Sequence, residues 1–412
     1  MTSQTTEPSL AIPKQPLSRT VIYQTIGYFA IFIGLGMTAA SLGPTLPGLA
    51  AHTGSTLSQI SFLFTGRAFG YLLGSLRGGR AFDRLPGHTL LVFLIAGMGI
   101  MLALVPVSAR LWLLTVLLFV LGLFEGATDV GGNTLLVWVH QQRVGPYMNA
   151  LHFFFGVGAF FSPIIAAQAL LRTNNINWVY WLLAIYMVPV ALWIVRLPSP
   201  KSPHDVQTQL NGDTTTRIAN PTLVGILTLF FILYVGAESG FGGWIFTYAT
   251  TLDLATPATA AYLTSVFWGV FTIGRLFGIP LAVRFKPQTM LVWDLAGCLI
   301  SMIVILLYPG SLLALAIGAG GLGLSMASMF PNMLVYAEQR MPLSGRITRW
   351  FFVGAGVGGM ILPWLLGQIF VSIGPQAIMW AILLDLIMIV GIFIVLWLYN
   401  RPHLVRRQSN AV

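Results

Sequence analysis

Apolar residues along this chain gather into runs of about 20, the number of helical residues that crosses a bilayer's hydrocarbon core. Twelve such spans are predicted, at 20–42, 57–80, 88–107, 111–138, 146–170, 177–197, 220–249, 257–283, 288–308, 312–337, 345–372 and 376–399. Each is helix-length, and a helix satisfies its own backbone hydrogen bonds where no water is present. The longest polar break, Pro198 to Asn220, opens with Pro-Ser-Pro-Lys, ends rich in Thr and divides the spans six and six. The predicted organisation is therefore an all-α membrane protein: tail 1–19, six-helix bundle 20–197, linker 198–219, six-helix bundle 220–399 and tail 400–412.

Composition agrees with this pattern. Of the 412 residues, 56% are hydrophobic and only 8% charged, against roughly 25% charged in soluble domains. The net charge of +10 is carried mainly by the polar breaks, so it reads as a topology signal rather than a nucleic-acid surface. With a cytoplasmic amino terminus, 17 of the 21 basic residues fall on inside segments. Only Arg110 and Arg172 fall outside, and Arg67 and Arg275 lie within spans. Both termini are thus expected in the cytoplasm, the chain crossing a plasma or inner membrane many times. Met1 to Arg19 is polar, holds three prolines and has no signal-peptide core, so a disordered tail is expected. The single Cys298, inside a span, excludes a disulfide framework and a structural zinc site.

The two halves resemble each other. Span four reads GLFEGATDVGGNTLLVWVHQQ from Gly122 and span ten GLGLSMASMFPNMLVYAEQR from Gly321, aligning Asn133 with Asn332 at an offset of 199. GRAFG around Arg67 matches GRLFG around Arg275, and GVGAFFSP in span five matches GVGGMILP in span eleven. Three matches in one order indicate two parallel six-helix repeats, an arrangement associated with transporters that rock about a central site.

This architecture resembles the major facilitator superfamily. The loop after span two, Gly79-Arg80-Ala81-Phe82-Asp83-Arg84-Leu85-Pro86-Gly87, is similar to the superfamily's best motif, with one extra residue before the last Gly and His88 where a base is expected. The resemblance implies a cytoplasmic gate latch built on Gly79, Asp83 and Arg84; a carboxylate at a helix terminus makes a charge-assisted, releasable contact. Within the superfamily the chain resembles the fucose-permease and sodium-dependent glucose transporter-like branch, through Asp129-Val-Gly-Gly-Asn133, the span-five string Leu151-His152 to Pro163, and Tyr234-Val-Gly-Ala-Glu238 with Gly243-Trp244. In that branch an acidic residue four before an Asn in span four is tied to cation coupling and sugar binding, which implies such roles for Asp129 and Asn133. Proton-coupled drug exporters instead carry an Arg in span four, near the position of Gly122, and a Gly-Pro-x-x-Gly-Gly signature in span five; here the latter region reads Ser162-Pro163-Ile164-Ile165.

Ionisable residues within spans are costly and are functional candidates by default. Glu125, Asp129 and Asn133 are spaced four apart and line one helix face. Two carboxylates one turn apart repel when both are ionised, which raises the apparent proton affinity of the pair; alternatively a sodium ion sits between them with the Asn133 oxygen as a further ligand. Arg67 is expected to pair with Glu125 or Asp129; these three form the ion-coupling candidates. Glu238 and Trp244 offer acceptors and an aromatic face for a sugar, and Asn133, His152 and Asn332 complete the solute-binding candidates. Against these stand plainer readings: a polar seam for the span-four residues, an ion pair for Glu238, fixed pairs for both arginines, scaffold roles for Asp294 and Asp385, and packing for His152, Trp268, Phe330, Trp350 and Phe351. No phosphate-cradling loop, metal-hydrolase spacing or nucleophile elbow is present, so an enzyme is not expected.

The sequence thus predicts a secondary active transporter taking up a small polar solute, a sugar, with H+ or Na+, and with no resident metal or cofactor. Its partners would be that solute and membrane lipid, without nucleic acid, and the unit a monomer. An exporter of drug-like or amphiphilic compounds and a non-transporting receptor or partner subunit are the rival readings.

Overall fold

The computed structural model describes residues 18–82, 84–200, 220–341 and 345–399. The expected tails and most of the linker lie outside these residues, as does Asp83 of the expected latch. Helices account for nearly all of the rest: α1 (Arg19–Thr53), α2 (Leu57–Ile60), α3 (Phe62–Phe82), α4 (Gly87–Leu104), α5 (Leu111–His140), α6 (Val144–Thr173) and α7 (Asn177–Val195) in the first half. The second half holds α8 (Pro221–Thr251), α9 (Pro257–Arg284), α10 (Pro287–Leu307), α11 (Leu312–Met326), α12 (Met329–Glu338), α13 (Gly345–Ser372) and α14 (Gln376–Tyr399). Eleven helical segments are long and apolar enough to cross a membrane. The short α2 and α3, with Arg67, Arg77 and Arg80, make the twelfth.

Two spans differ from expectation. The first continues eleven residues past its predicted end, through Pro44 and Pro47, to Thr53. Proline removes a backbone donor, and here the Thr45 hydroxyl donates to the carbonyls of Ser41 (2.8 Å) and Leu42 (3.3 Å) beside the prolines. The helix stops where Gly54 turns left-handed at φ 63°. Span ten is broken at Ala327 and Ser328, between α11 and α12, whereas its repeat mate α5 is continuous. Beside the break, the Tyr234 hydroxyl donates to the Met326 carbonyl at 2.9 Å.

Packing repeats between the halves. α1 lies on α6, α3 on α5, and α4 on α5 and α7; equivalently α8 lies on α13, α9 on α11, and α10 on α11 and α14. The halves meet through α3 with α13, α6 with α9, and α1 with α8. Hydrogen bonds between described residues of the two halves cluster at one end. Ser58, Ser61 and Thr65 bond to Gln368, Trp364 and Met360, and Gln168 donates to Tyr262. This end carries the loops that follow α1, α6, α8 and α13. Toward the opposite end, which carries the termini, no hydrogen bond between described residues joins the halves.

Candidate functional site

The backbones of α3 and α5 are brought together by glycine. A Cβ at Gly122 would stand 2.0 Å from the Arg67 carbonyl oxygen, and one at Gly126 would stand 2.1 Å from that of Tyr71. Any larger residue would hold the helices apart, so the glycines of GLFEGATD decide that side chains one turn away can meet. Two contacts follow from this approach. Arg67 grips Glu125 bidentately, Nε to Oε2 at 2.8 Å and Nη2 to Oε1 at 2.7 Å, and its Nη1 donates to the Ala39 carbonyl of α1 at 3.2 Å. Tyr71, one turn after Arg67, donates a short hydrogen bond to Asp129 Oδ2, and Asn133 Nδ2 donates to Asp129 Oδ1 at 3.0 Å.

The two carboxylates therefore do not share a proton or a site. Glu125 is 2% exposed and its charge is matched by Arg67, which is 17% exposed. Asp129 is half-buried and, among the described residues, accepts hydrogen bonds only from neutral donors. The Asn133 amide turns both of its described hydrogen bonds to Asp129, one to the carboxylate and one to the backbone carbonyl at 2.9 Å. A cation shared by Glu125, Asp129 and the Asn133 oxygen is not this arrangement: the Glu125 oxygens are occupied by a guanidinium, and the amide nitrogen, not the oxygen, faces Asp129.

The closed end lies just beyond these groups. A Cβ at Gly43 of α1 would be 2.9 Å from the Gly242 carbonyl oxygen of α8. Ala39 and Glu238 each sit four residues before that contact, about 6 Å along the helices, on the side away from the closed end. Glu238 is half-buried, and both the Tyr234 hydroxyl and Arg275 of α9 lie within its electrostatic reach. Arg67 is not an ion-pair partner for Glu238, because Glu125 and Ala39 take the Arg67 donors.

Trp244 departs from its expected place. It is fully buried, its Nε1 donates to the Pro363 carbonyl at 2.8 Å, and its ring packs on Phe64 and Phe370. It plugs the closed end instead of presenting a face beside Glu238. Asn332 is also turned away. It is 5% exposed and donates, at 3.5 Å, to Asp294 of α10, which also accepts from Ser328 at 2.7 Å. The break after α11 and the acid on α10 draw this amide into the scaffold, although its repeat mate Asn133 serves Asp129. His152 stands eight residues into α6 rather than at its opening, exposed, with its ring edge-on to Phe32. Among the aromatic candidates, Phe351 and Trp268 are buried and Trp350 is exposed.

Tyr71 is a residue of this candidate site that the sequence reading missed. Its signal was its place four residues after Arg67, which puts it on the same helix face.

A family model described as the Major Facilitator Superfamily matches residues 25–353. The chain belongs to the major facilitator superfamily. It is 32% identical over 371 residues to the human protein named sodium-dependent glucose transporter 1, covering 82% of this chain and 72% of the relative. The Xenopus laevis protein of the same name is 34% identical over 359 residues, covering 81% and 73%. A human protein named major facilitator superfamily domain-containing protein 4A is 26% identical over 483 aligned positions, covering 94% of each. In fold, the chain is similar to a crystallised variant of the nucleoside transporter NupG, with a TM-score of 0.75 at 14% identity, covering 92% of this chain and all of the other.

As a major facilitator protein, this chain is a multi-pass membrane transporter of small molecules and not an enzyme. The superfamily's latch loop is described in part. Gly79 lies in the last turn of α3, and Arg84 is exposed. His88, where a base is expected, is buried instead: its Nε2 meets the Tyr28 hydroxyl at 2.8 Å and its Nδ1 the Leu197 carbonyl at 3.1 Å. It ties α4 to α1 and to the segment leaving α7.

Proposed function

We propose that this protein carries a sugar across a cell membrane together with a cation, H+ or Na+, by alternating access. The observation that carries the reading is the setting of Asp129: an intramembrane carboxylate whose hydrogen-bond partners among the described residues are all neutral, beside an Arg67–Glu125 pair that already cancels its own charge. Such a group attracts a cation, because an uncompensated charge within the membrane costs several kcal/mol at most depths. Relatives named sodium-dependent glucose transporter support the sugar and the coupling. Asn133 orients Asp129, while Glu238 and His152 contact the solute. Trp244 and the α2–α3 contacts with α13 seal the far end. Gly79, Asp83 and Arg84 form the latch that closes the near one. The protein works as a monomer surrounded by lipid, with both termini in the cytoplasm, so the described conformation is open inward.

The test is solute-induced proton or sodium uptake in reconstituted vesicles, comparing the natural sequence with Asp129→Asn. The variant is expected to exchange D-glucose across the membrane but not to accumulate it against its gradient. Retained accumulation removes Asp129 from coupling. Extrusion of amphiphilic compounds without sugar flux favours the exporter reading, and no flux under any ion gradient favours a receptor or partner subunit.

A further inference from the structure

Both repeats carry an arginine in matching strings, Gly66-Arg67-Ala-Phe-Gly70 and Gly274-Arg275-Leu-Phe-Gly278. In the first repeat the arginine is consumed by Glu125 and by the Ala39 carbonyl. In the second, the offset of 199 puts Leu324 where Glu125 stands and Ser328 where Asp129 stands. Among the described residues, no hydrogen bond or ion pair to Arg275 replaces them. Its guanidinium carbon lies 4.5 Å from the centroid of the Phe271 ring. A guanidinium laid on a ring keeps its planar N–H edges free to donate sideways. Such a cation persists within a membrane protein where it faces a water-filled space or a partner, and Arg275 is half-buried.

Its neighbours define that space. A Cβ at Gly156 of α6 would meet the Thr272 hydroxyl of α9 at 2.3 Å, so these helices touch there. Arg275 lies one turn from Thr272 and His152 one turn from Gly156, both away from the closed end. They face each other across the divide between the halves, and His152 lies within the electrostatic reach of Arg275. Glu238 on α8 is within reach as well, yet no ion pair closes between Glu238 and Arg275. Base and acid lie within electrostatic reach of each other and are not joined.

We propose that Arg275 binds the solute directly: with Glu238 it clasps two neighbouring hydroxyls, the guanidinium donating to one oxygen and the carboxylate accepting from the other hydroxyl. This rests on the reading of the solute as a sugar. A separated acid and base suit a polyol, since each hydroxyl both donates and accepts, whereas a closed ion pair has no free atoms to offer. The planar fork of Arg275 also matches adjacent oxygens in a way a single ammonium does not.

The test is calorimetric binding of D-glucose and its monodeoxy analogues to the purified full chain in detergent. Arg275→Gln is expected to weaken D-glucose binding by about 10- to 100-fold, the worth of hydrogen bonds to a charged group. One monodeoxy analogue, the one lacking the hydroxyl that Arg275 holds, is expected to bind the natural sequence and the variant equally. Glu238→Gln is expected to produce the same pattern at an adjacent hydroxyl. Arg275→Lys, which keeps the charge and loses the fork, carries the test if the glutamine variant does not fold, and is expected to relax selection at the same position. Equal weakening across all analogues, or none, overturns the proposal while leaving the sugar reading intact. No binding of any member of the panel by the natural sequence overturns the sugar reading and this proposal with it.

Discussion

The same helix pair, α3 with α5 in the first half and α9 with α11 in the second, has been put to different uses. In the first, a buried guanidinium and carboxylate cancel, and a second carboxylate one turn on is held by a phenol and an amide. In the second, Leu324 and Ser328 stand at the positions of Glu125 and Asp129, Arg275 makes no ion pair among the described residues, and Asp294 of α10 accepts from Ser328 and Asn332 across the helix break. Duplication supplied two copies of one scaffold. The second copy has Leu324 where Glu125 stands, while in the first copy Arg67 and Glu125 form a closed pair beside Asp129. One repeated geometry thus holds a closed ion pair in one half and, among the described residues, an arginine with no ion-pair partner in the other.

The largest effect expected is from making the first half like the second. Glu125→Leu strands the Arg67 cation, and removing one partner of a buried ion pair costs about 3–5 kcal/mol. Thermal unfolding in detergent is therefore expected to show a marked loss of stability and little folded protein at physiological temperature. A loss of under about 1 kcal/mol would mean the pair is not the clamp described here. The converse change, Leu324→Glu, gives the second half the partner it lacks. Leu324 lies beside Gly274, its Cδ1 3.2 Å from where a Cβ on that glycine would stand, so a carboxylate there is next to Arg275. The variant is expected to fold and to bind D-glucose about tenfold more weakly, the worth of one charged hydrogen bond; unchanged binding would show that Arg275 is not available to solute. Smallest is Tyr71→Phe, which removes one donor from Asp129. Hydrogen bonds between membrane helices average about 0.6 kcal/mol, so the ion concentration giving half-maximal uptake is expected to shift by about threefold, with the solute dependence unchanged.

Much of this was legible in the residue pattern because the bilayer makes it so. Run length fixed the spans to within a few residues for most of the chain, and the exceptions have local causes: Pro44 and Pro47 signal a stop, yet α1 runs through them with the Thr45 hydroxyl covering nearby carbonyls. Spacing by four put Glu125, Asp129 and Asn133 on one face. It did not reveal that Glu125 would be silenced by Arg67, because that depends on how closely α3 approaches α5, which Gly122 and Gly126 decide across 55 residues of chain. Nor did it separate Asn133 from Asn332. The two amides match in sequence and diverge in partner, since only one has an acid four residues before it and only the other lies beside Asp294. Trp244 illustrates the same limit: an aromatic near Glu238 suggested a face for a sugar, and the ring is instead buried against Phe64 of α3 and Phe370 of α13, where Gly367 leaves room for it.

The sequence by itself determined that this chain lies in a membrane, crosses it as helices, repeats itself once, and keeps only a handful of charges inside. Those properties follow from transfer energies and helical periodicity, which act residue by residue and leave their mark on the order of the chain. Tertiary structure alone decided which of those charges are paired and which stand open. Pairing depends on distances of a few ångströms between helices far apart in sequence, and a single Cβ at a glycine contact is enough to change it.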